Sequence, residues 1–135
     1  MALITGGCVC GNVRYECDAP PIMMFKCHCR DCQYVTGSGY APVLYFQRNG
    51  VRIVKGALKY YSTQSMAGGE HKRGFCADCG CRISGGESAK GIGITAGSLD
   101  DPALFEPTMD IHVADVEPWD LLDPSTQKFE AYPSF

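Results

Sequence analysis

Cys76-Ala77-Asp78-Cys79-Gly80, read together with Gly6-Gly7-Cys8-Val9-Cys10-Gly11, decides the fold of this chain. Each stretch is a half-site in which two thiols are carried on a tight turn and can reach one ion. Cys8 and Cys10 are separated by a single residue. In an extended or hairpin-tip backbone their side chains therefore leave on the same side. The flanking glycines let the chain turn sharply and aim backbone N–H groups at the sulfurs. A Cys-x-Cys alone is a weak signal. Paired with a Cys-x-x-Cys-Gly far along the chain, it predicts a four-cysteine structural site that ties the first hairpin to the middle of a sheet.

A third group lies between them, Cys27-His28-Cys29-Arg30-Asp31-Cys32. Three cysteines within six residues form a chelate by themselves, and no fourth protein ligand is obvious nearby. The total of seven grouped cysteines points the same way, since two closed four-thiolate sites need eight ligands. One closed site plus one three-thiolate site needs seven. A three-thiolate zinc keeps a position free for water or substrate, the pattern of a catalytic metal. The competing reading of the trio is redox-active or merely buried thiols. His28 points away from Cys27 and Cys29 in an extended segment, so a supporting, pocket or packing role is favoured over direct ligation.

The two remaining cysteines differ. Cys17 falls on the apolar side of an alternating stretch with Val13 and Tyr15 and reads as a small core hydrophobe. Cys81, two residues after Cys79, could compete within the four-cysteine site or close the second one. His71 has no ligand-type partner in sequence, and His112, between Ile111 and Val113, is placed at a pocket wall or at the surface. No Gly-x-Ser-x-Gly, phosphate loop or dinucleotide fingerprint is present.

The 135 residues are 45% hydrophobic and 20% charged. That composition is ordinary for a globular chain, and the length suits one domain over 1–135. The N-terminal stretch Met1 to Cys8 shows neither a basic nor an apolar signal region, and no run approaches the ~20 apolar residues of a membrane span. An odd number of cysteines then argues for a reducing, cytoplasmic setting with thiols reduced or metal-bound rather than a disulfide framework. Charge is uneven. Residues 1–99 carry eleven Lys/Arg against six Asp/Glu, whereas residues 100–135 carry one against nine. The overall −3 makes nucleic acid an unexpected partner. Lys26, Arg30, Lys72, Arg73 and Arg82 all lie within four residues of a grouped cysteine. They read either as a solvated basic rim or as a device steering a small anion toward the metal.

The pattern along the chain predicts a mainly β fold of short strands. Val13, Tyr15 and Cys17 alternate with polar residues, and Gly39 to Phe46, Val51 to Val54, Leu58 to Ser62, Lys72 to Cys76 and Ile92 to Gly97 are further strands. Arg48-Asn49-Gly50 is expected to make a tight hairpin turn with positive φ. Lys55-Gly56 is a break. Arg30 to Thr36 forms one or two helical turns ended by Gly37. Asp100-Asp101-Pro102 is a turn. From Pro102 onward five prolines forbid a long helix, and the apolar residues there predict strands and loops wrapped over the body.

The order Gly-Cys-x-Cys-Gly, then Cys-His-Cys-x-x-Cys with a following Gly-Ser-Gly, then Arg-Gly-Phe-Cys-x-x-Cys-Gly, resembles the glutathione-dependent formaldehyde-activating enzymes, whose domain is shared with a centromere protein. The motifs run from Gly7 to Gly80, with a looser likeness through His112 and Trp119. By position, the resemblance implies a structural zinc on Cys8, Cys10, Cys76 and Cys79 and a catalytic zinc on Cys27, Cys29 and Cys32. It implies a zinc-binding β-tent fold and a carbon–sulfur lyase-type reaction that joins glutathione and formaldehyde into S-hydroxymethylglutathione. Cys81 stands where that family usually has a small hydroxyl residue. The alternative function is a non-catalytic zinc-binding module that braces a scaffold or recognises a protein; a thiol redox role is the third.

Overall fold

In the computed structural model, which describes residues 2–65 and 68–133, the chain forms two β-sheets and one short helix. The smaller sheet has the order β1 (Ile4–Gly7), β2 (Arg14–Cys17), β5 (Val51–Lys55), all antiparallel. The larger runs β11 (Gln127–Lys128), β10 (Met109–Ile111), β3 (Met23–Cys27), β4 (Ala41–Gln47), β9 (Gly91–Thr95), β8 (Arg82–Gly85), β7 (Glu70–Phe75), β6 (Lys59–Gln64). Its pairings are antiparallel except at one edge, where β10 lies parallel to both β3 and β11. The mainly β class expected from the sequence is what the chain adopts. The acidic tail does more than wrap the body, because its two strands extend the large sheet.

Strand period 2 splits the larger sheet into two faces with different tasks. In β4, Leu44 and Phe46 join Ile92 and Ile94 of β9 in a core shared with Val13, Tyr15, Cys17 and Val51 beside the smaller sheet. Each of these large side chains is buried to within a few per cent, and each such burial contributes about 1.5–3 kcal/mol. Cys17 is a core residue, as its alternation predicts. Ala41, Val43 and Tyr45, the intervening positions of β4, join a second cluster with Phe25, Cys27, Cys32, Met109 and Ile111. That second face carries the candidate site.

Two local features set the site's geometry. Helix α1 (Arg30–Thr36) follows β3 directly. Cys29 serves as its N-cap, its Sγ accepting the Cys32 N–H at 3.4 Å, and Gly37 closes it at φ 66°, as expected. In β8 the register moves from Gly74↔Ser84 to Phe75↔Arg82, leaving Ile83 as an extra residue. The bulge keeps Ile83 in the first core while Arg82 lines the opposite cavity.

The Arg48-Asn49-Gly50 expectation is corrected. The segment is a 3-10 turn, and neither Asn49 nor Gly50 has positive φ. The reason is topological: β4 and β5 do not pair, since β5 leaves for the other sheet to pair with β2. A crossing between sheets needs no hairpin twist.

Candidate metal centres and the adjoining cavity

The loop joining β1 to β2 carries Cys8 and Cys10, and the turn joining β7 to β8 carries Cys76 and Cys79. Cys8 Sγ lies 3.5 Å from Cys10 Sγ, which lies 3.7 Å from Cys76 Sγ. All four ligand atoms fall within 4.8 Å of one another. Tetrahedral zinc at the usual Zn–S length sets its sulfurs roughly 3.8 Å apart, so this donor set fits the ion in kind, number and spacing. Backbone amides point inward: the Val13 N–H donates to Cys8 Sγ at 3.2 Å. Hydrogen bonds from the Cys81 and Cys10 backbone N–H groups pull the Cys79 thiol down to about 6. Gly80 turns the knuckle at φ 77° and donates to Cys76 O. Cys81 stands outside both groups; its Sγ accepts the Val9 N–H at 3.4 Å.

Cys27 ends β3, Cys29 caps α1 and Cys32 lies in its first turn. Their three ligand atoms also lie within 4.8 Å of one another, a trio of soft donors that fits zinc with a position left over. Hydrogen bonds from the Cys27 and Cys32 thiols hold Cys29 far below the ordinary thiol range, and Cys27 is displaced upward by the same contacts.

His28 is turned away from the trio, as the extended backbone requires. It is 1% exposed, with Nε2 2.7 Å from Asp110 Oδ1 and Nδ1 2.9 Å from Asp120 Oδ2. Asp110 also accepts from Thr126 Oγ1 and lies near Lys26 and Lys128. Gln33 Nε2 donates to the carbonyls of His28 and Asp115. The ring and its two carboxylates thus hold the peptide between two of the sulfurs against β10 and the tail. Sequence reasoning missed Asp110 and Asp120, which are more than 80 residues away and carry no local signal.

The trio opens onto a cavity of about 560 Å³ on the second face of the large sheet. The four-cysteine group lies outside its wall. His71, Arg73, Arg82 and His112 line it together with Phe25, Val43 and Tyr45.

A model of one protein family, the glutathione-dependent formaldehyde-activating enzymes, matches residues 3–115. The chain belongs to that family. No curated protein matches it. Among solved structures, the crystal structure of a Rhodobacter sphaeroides protein, a structural-genomics target, matches with a TM-score of 0.60 at 23% identity, covering 76% of this chain and 96% of that one. That likeness is one of fold. Membership associates the chain with glutathione-dependent formaldehyde activation.

In this formaldehyde-activating family member the basic residues near the cysteines divide sharply. Arg30 is exposed and stacked on Tyr34, while Lys72 reaches Glu87 and the Tyr60 ring. These two are rim residues. Arg73 is buried and Arg82 is half-buried, both on the cavity wall. His112 takes the pocket-wall option, held at φ 56° and packed edge-on against Tyr132 at 4.6 Å. Burial, then Arg73, lowers the pKa of His71, so its imidazole is neutral at pH 7. Among the described residues no helix is long and apolar enough to cross a membrane.

Proposed function

We propose that this chain is a zinc-dependent enzyme that forms or cleaves the carbon–sulfur bond of a small thiol adduct, with glutathione and formaldehyde as the pair its family name supplies. One observation carries the reading: the three-thiol group faces a ligand-sized cavity, whereas the four-thiol group has a full tetrahedral set away from it. Cys8, Cys10, Cys76 and Cys79 are the structural set. Cys27, Cys29 and Cys32 are the catalytic set.

When bound at the trio, zinc supplies a Lewis-acidic position at which a thiol loses its proton at neutral pH. The chain's own residues do the rest. The N-capped turn of α1 and the clamped His28 hold the three sulfurs in one arrangement. Phe25, Val43 and Tyr45 give the cavity beside the trio an apolar portion against which a substrate body can pack. In the forward direction the thiol sulfur bonds to the aldehyde carbon, the C=O π pair moves to oxygen, and the proton lost from sulfur ends there. The product is an S–CH2–OH adduct, and the reverse reaction is the lyase direction.

The test is a zinc count with thiol binding followed by NMR or mass spectrometry. The expected result is two zincs per chain, one readily taken by a chelator, and a thiol complex that disappears in Cys32→Ser. A non-catalytic module would hold both zincs tightly and bind no thiol. Retention of thiol binding by Cys32→Ser with its zinc count intact would sink the two-role assignment.

A further inference from the structure

The charged side chains of the cavity are segregated by element. Arg73 and Arg82 stand on β7 and β8, the fourth and third strands from β3 in the order of the large sheet. Asp31 and Asp115 stand on α1 and in the turn after β10. None of the four belongs to an ion pair among the described residues. Arg73 is 4% exposed, and its guanidinium finds one acceptor there, Thr63 Oγ1. Its other nitrogens are not sealed in protein, and the surface they keep opens onto the cavity. Arg82 differs. Its Nε and Nη1 are sealed without an acceptor, and its guanidinium lies 5.9 Å from the centre of the Phe75 ring. It adds positive field beside Arg73 rather than a second open donor. Burial, then Arg73, lower the Arg82 pKa while Cys32 opposes them, so Arg82 lies near both Arg73 and the trio. A buried cation without a counter-charge is costly to keep unless an anion completes it. Gln64 and His71, on the same wall, offer an amide and an imidazole to the peptide groups of a bound body.

We propose that Arg73 holds the glycyl carboxylate of glutathione, with Arg82 reinforcing it and the γ-glutamyl ammonium end turned toward Asp31 and Asp115. The inference rests on the reading of the trio as a thiol-binding metal site and adds the orientation of the thiol within it. A carboxylate on a guanidinium makes charge-assisted hydrogen bonds that a neutral amide does not. Asp115 is exposed and Asp31 half-buried, so their pull on an ammonium group is weak. The carboxylate end therefore fixes the orientation.

The test is isothermal titration of the zinc-loaded protein with glutathione, its glycyl carboxamide, its glutamyl α-carboxamide and S-methylglutathione. Glutathione should bind roughly 10- to 100-fold more tightly than the glycyl carboxamide, and within roughly threefold of the glutamyl α-carboxamide. Arg73→Gln should bring glutathione down to the level of the glycyl carboxamide with zinc content unchanged. Arg73→Lys, which keeps the charge without the planar fork, should retain part of the preference and serves if the first variant folds poorly. Equal affinity for glutathione and its glycyl carboxamide, or a preference undiminished in both variants, overturns the site. An Arg73-dependent preference for the glutamyl carboxylate instead overturns the orientation. Arg73-dependent binding of S-methylglutathione as tight as that of glutathione keeps the carboxylate site and removes the thiol-binding reading. Sulfur-dependent binding indifferent to the glycyl carboxylate does the reverse.

Discussion

Asp110→Ala reaches the trio from the far end of the chain, and its cost follows from the contacts it breaks. The carboxylate is 0% exposed; it accepts from His28 Nε2 at 2.7 Å and from Thr126, with Lys26 and Lys128 at 3.6 and 3.7 Å. Thr126 has a second acceptor in Asp123 O and can fall back on it. His28 Nε2 has no substitute and is left as a buried orphan, at about 1–3 kcal/mol. Two lysines also lose their buried counter-charge, which brings the whole to about 3–5 kcal/mol. Set against a domain stability of about 5–15 kcal/mol, that is a large fraction. A urea titration of the zinc-loaded protein followed by circular dichroism should show the midpoint falling by roughly 2 M. Asp110→Asn, which keeps the volume and one acceptor oxygen, should cost only about 1–2 kcal/mol. With His28 released, a chelator should remove the more labile zinc faster from Asp110→Ala than from the parent. A loss below about 0.5 kcal/mol, the level of an ordinary surface change, would refute the clamp.

Cys76→Ser and Cys32→Ser should separate the two thiol groups by magnitude. A structural zinc contributes roughly 10–16 kcal/mol apparent, enough to offset a domain's whole stability. Cys76, 1% exposed and part of the first core, should therefore yield unfolded or insoluble protein when changed to Ser. Cys32→Ser should fold and bind one zinc fewer, read by circular dichroism and metal analysis. Asp100 is lowered from 3.8 to about 2 by Arg14 and then Thr5. A carboxylate depressed in the folded state adds stability above its unfolded pKa and loses it as pH falls through the folded one. The contribution should fade between pH 4 and 2, and Asp100→Asn should show a shallower acid limb; identical limbs would remove the assignment. The effect is small because the pair is half exposed. Gly37→Ala, at φ 66° with open space around it, should cost about 1 kcal/mol. Gly56→Ala, at φ 72° where the added methyl would collide with the Asn12 carbonyl oxygen, should cost several-fold more in the same urea titration.

Much of the site was legible because thiol spacing is local. Cys8/Cys10, Cys27/Cys29/Cys32 and Cys76/Cys79 each lie on one turn or helix start, where the order of residues nearly dictates the direction of side chains. The helix over Arg30–Thr36 and its stop at Gly37 were readable for the same reason, and so was Cys17 in the core. Strands β3 and β8 were not read from the pattern. Met23–Cys27 is apolar on both sides of Lys26, and Arg82–Gly85 is interrupted by a bulge, so neither shows clean alternation.

What the sequence by itself determined is the inventory of sulfurs and their grouping, because a chelate within six residues is a property of chain geometry. Which sulfurs meet a cavity, and what surrounds them, was decided only by tertiary structure. Two of the five basic residues near the cysteines, Arg73 and Arg82, became cavity wall and two became rim, although their distances in sequence are alike. A strand bulge and the period-2 alternation of one sheet made that division. The clamp on His28 depended on a parallel strand from the acidic tail, and strand pairing at such separation is set by packing of the whole sheet rather than by any local pattern.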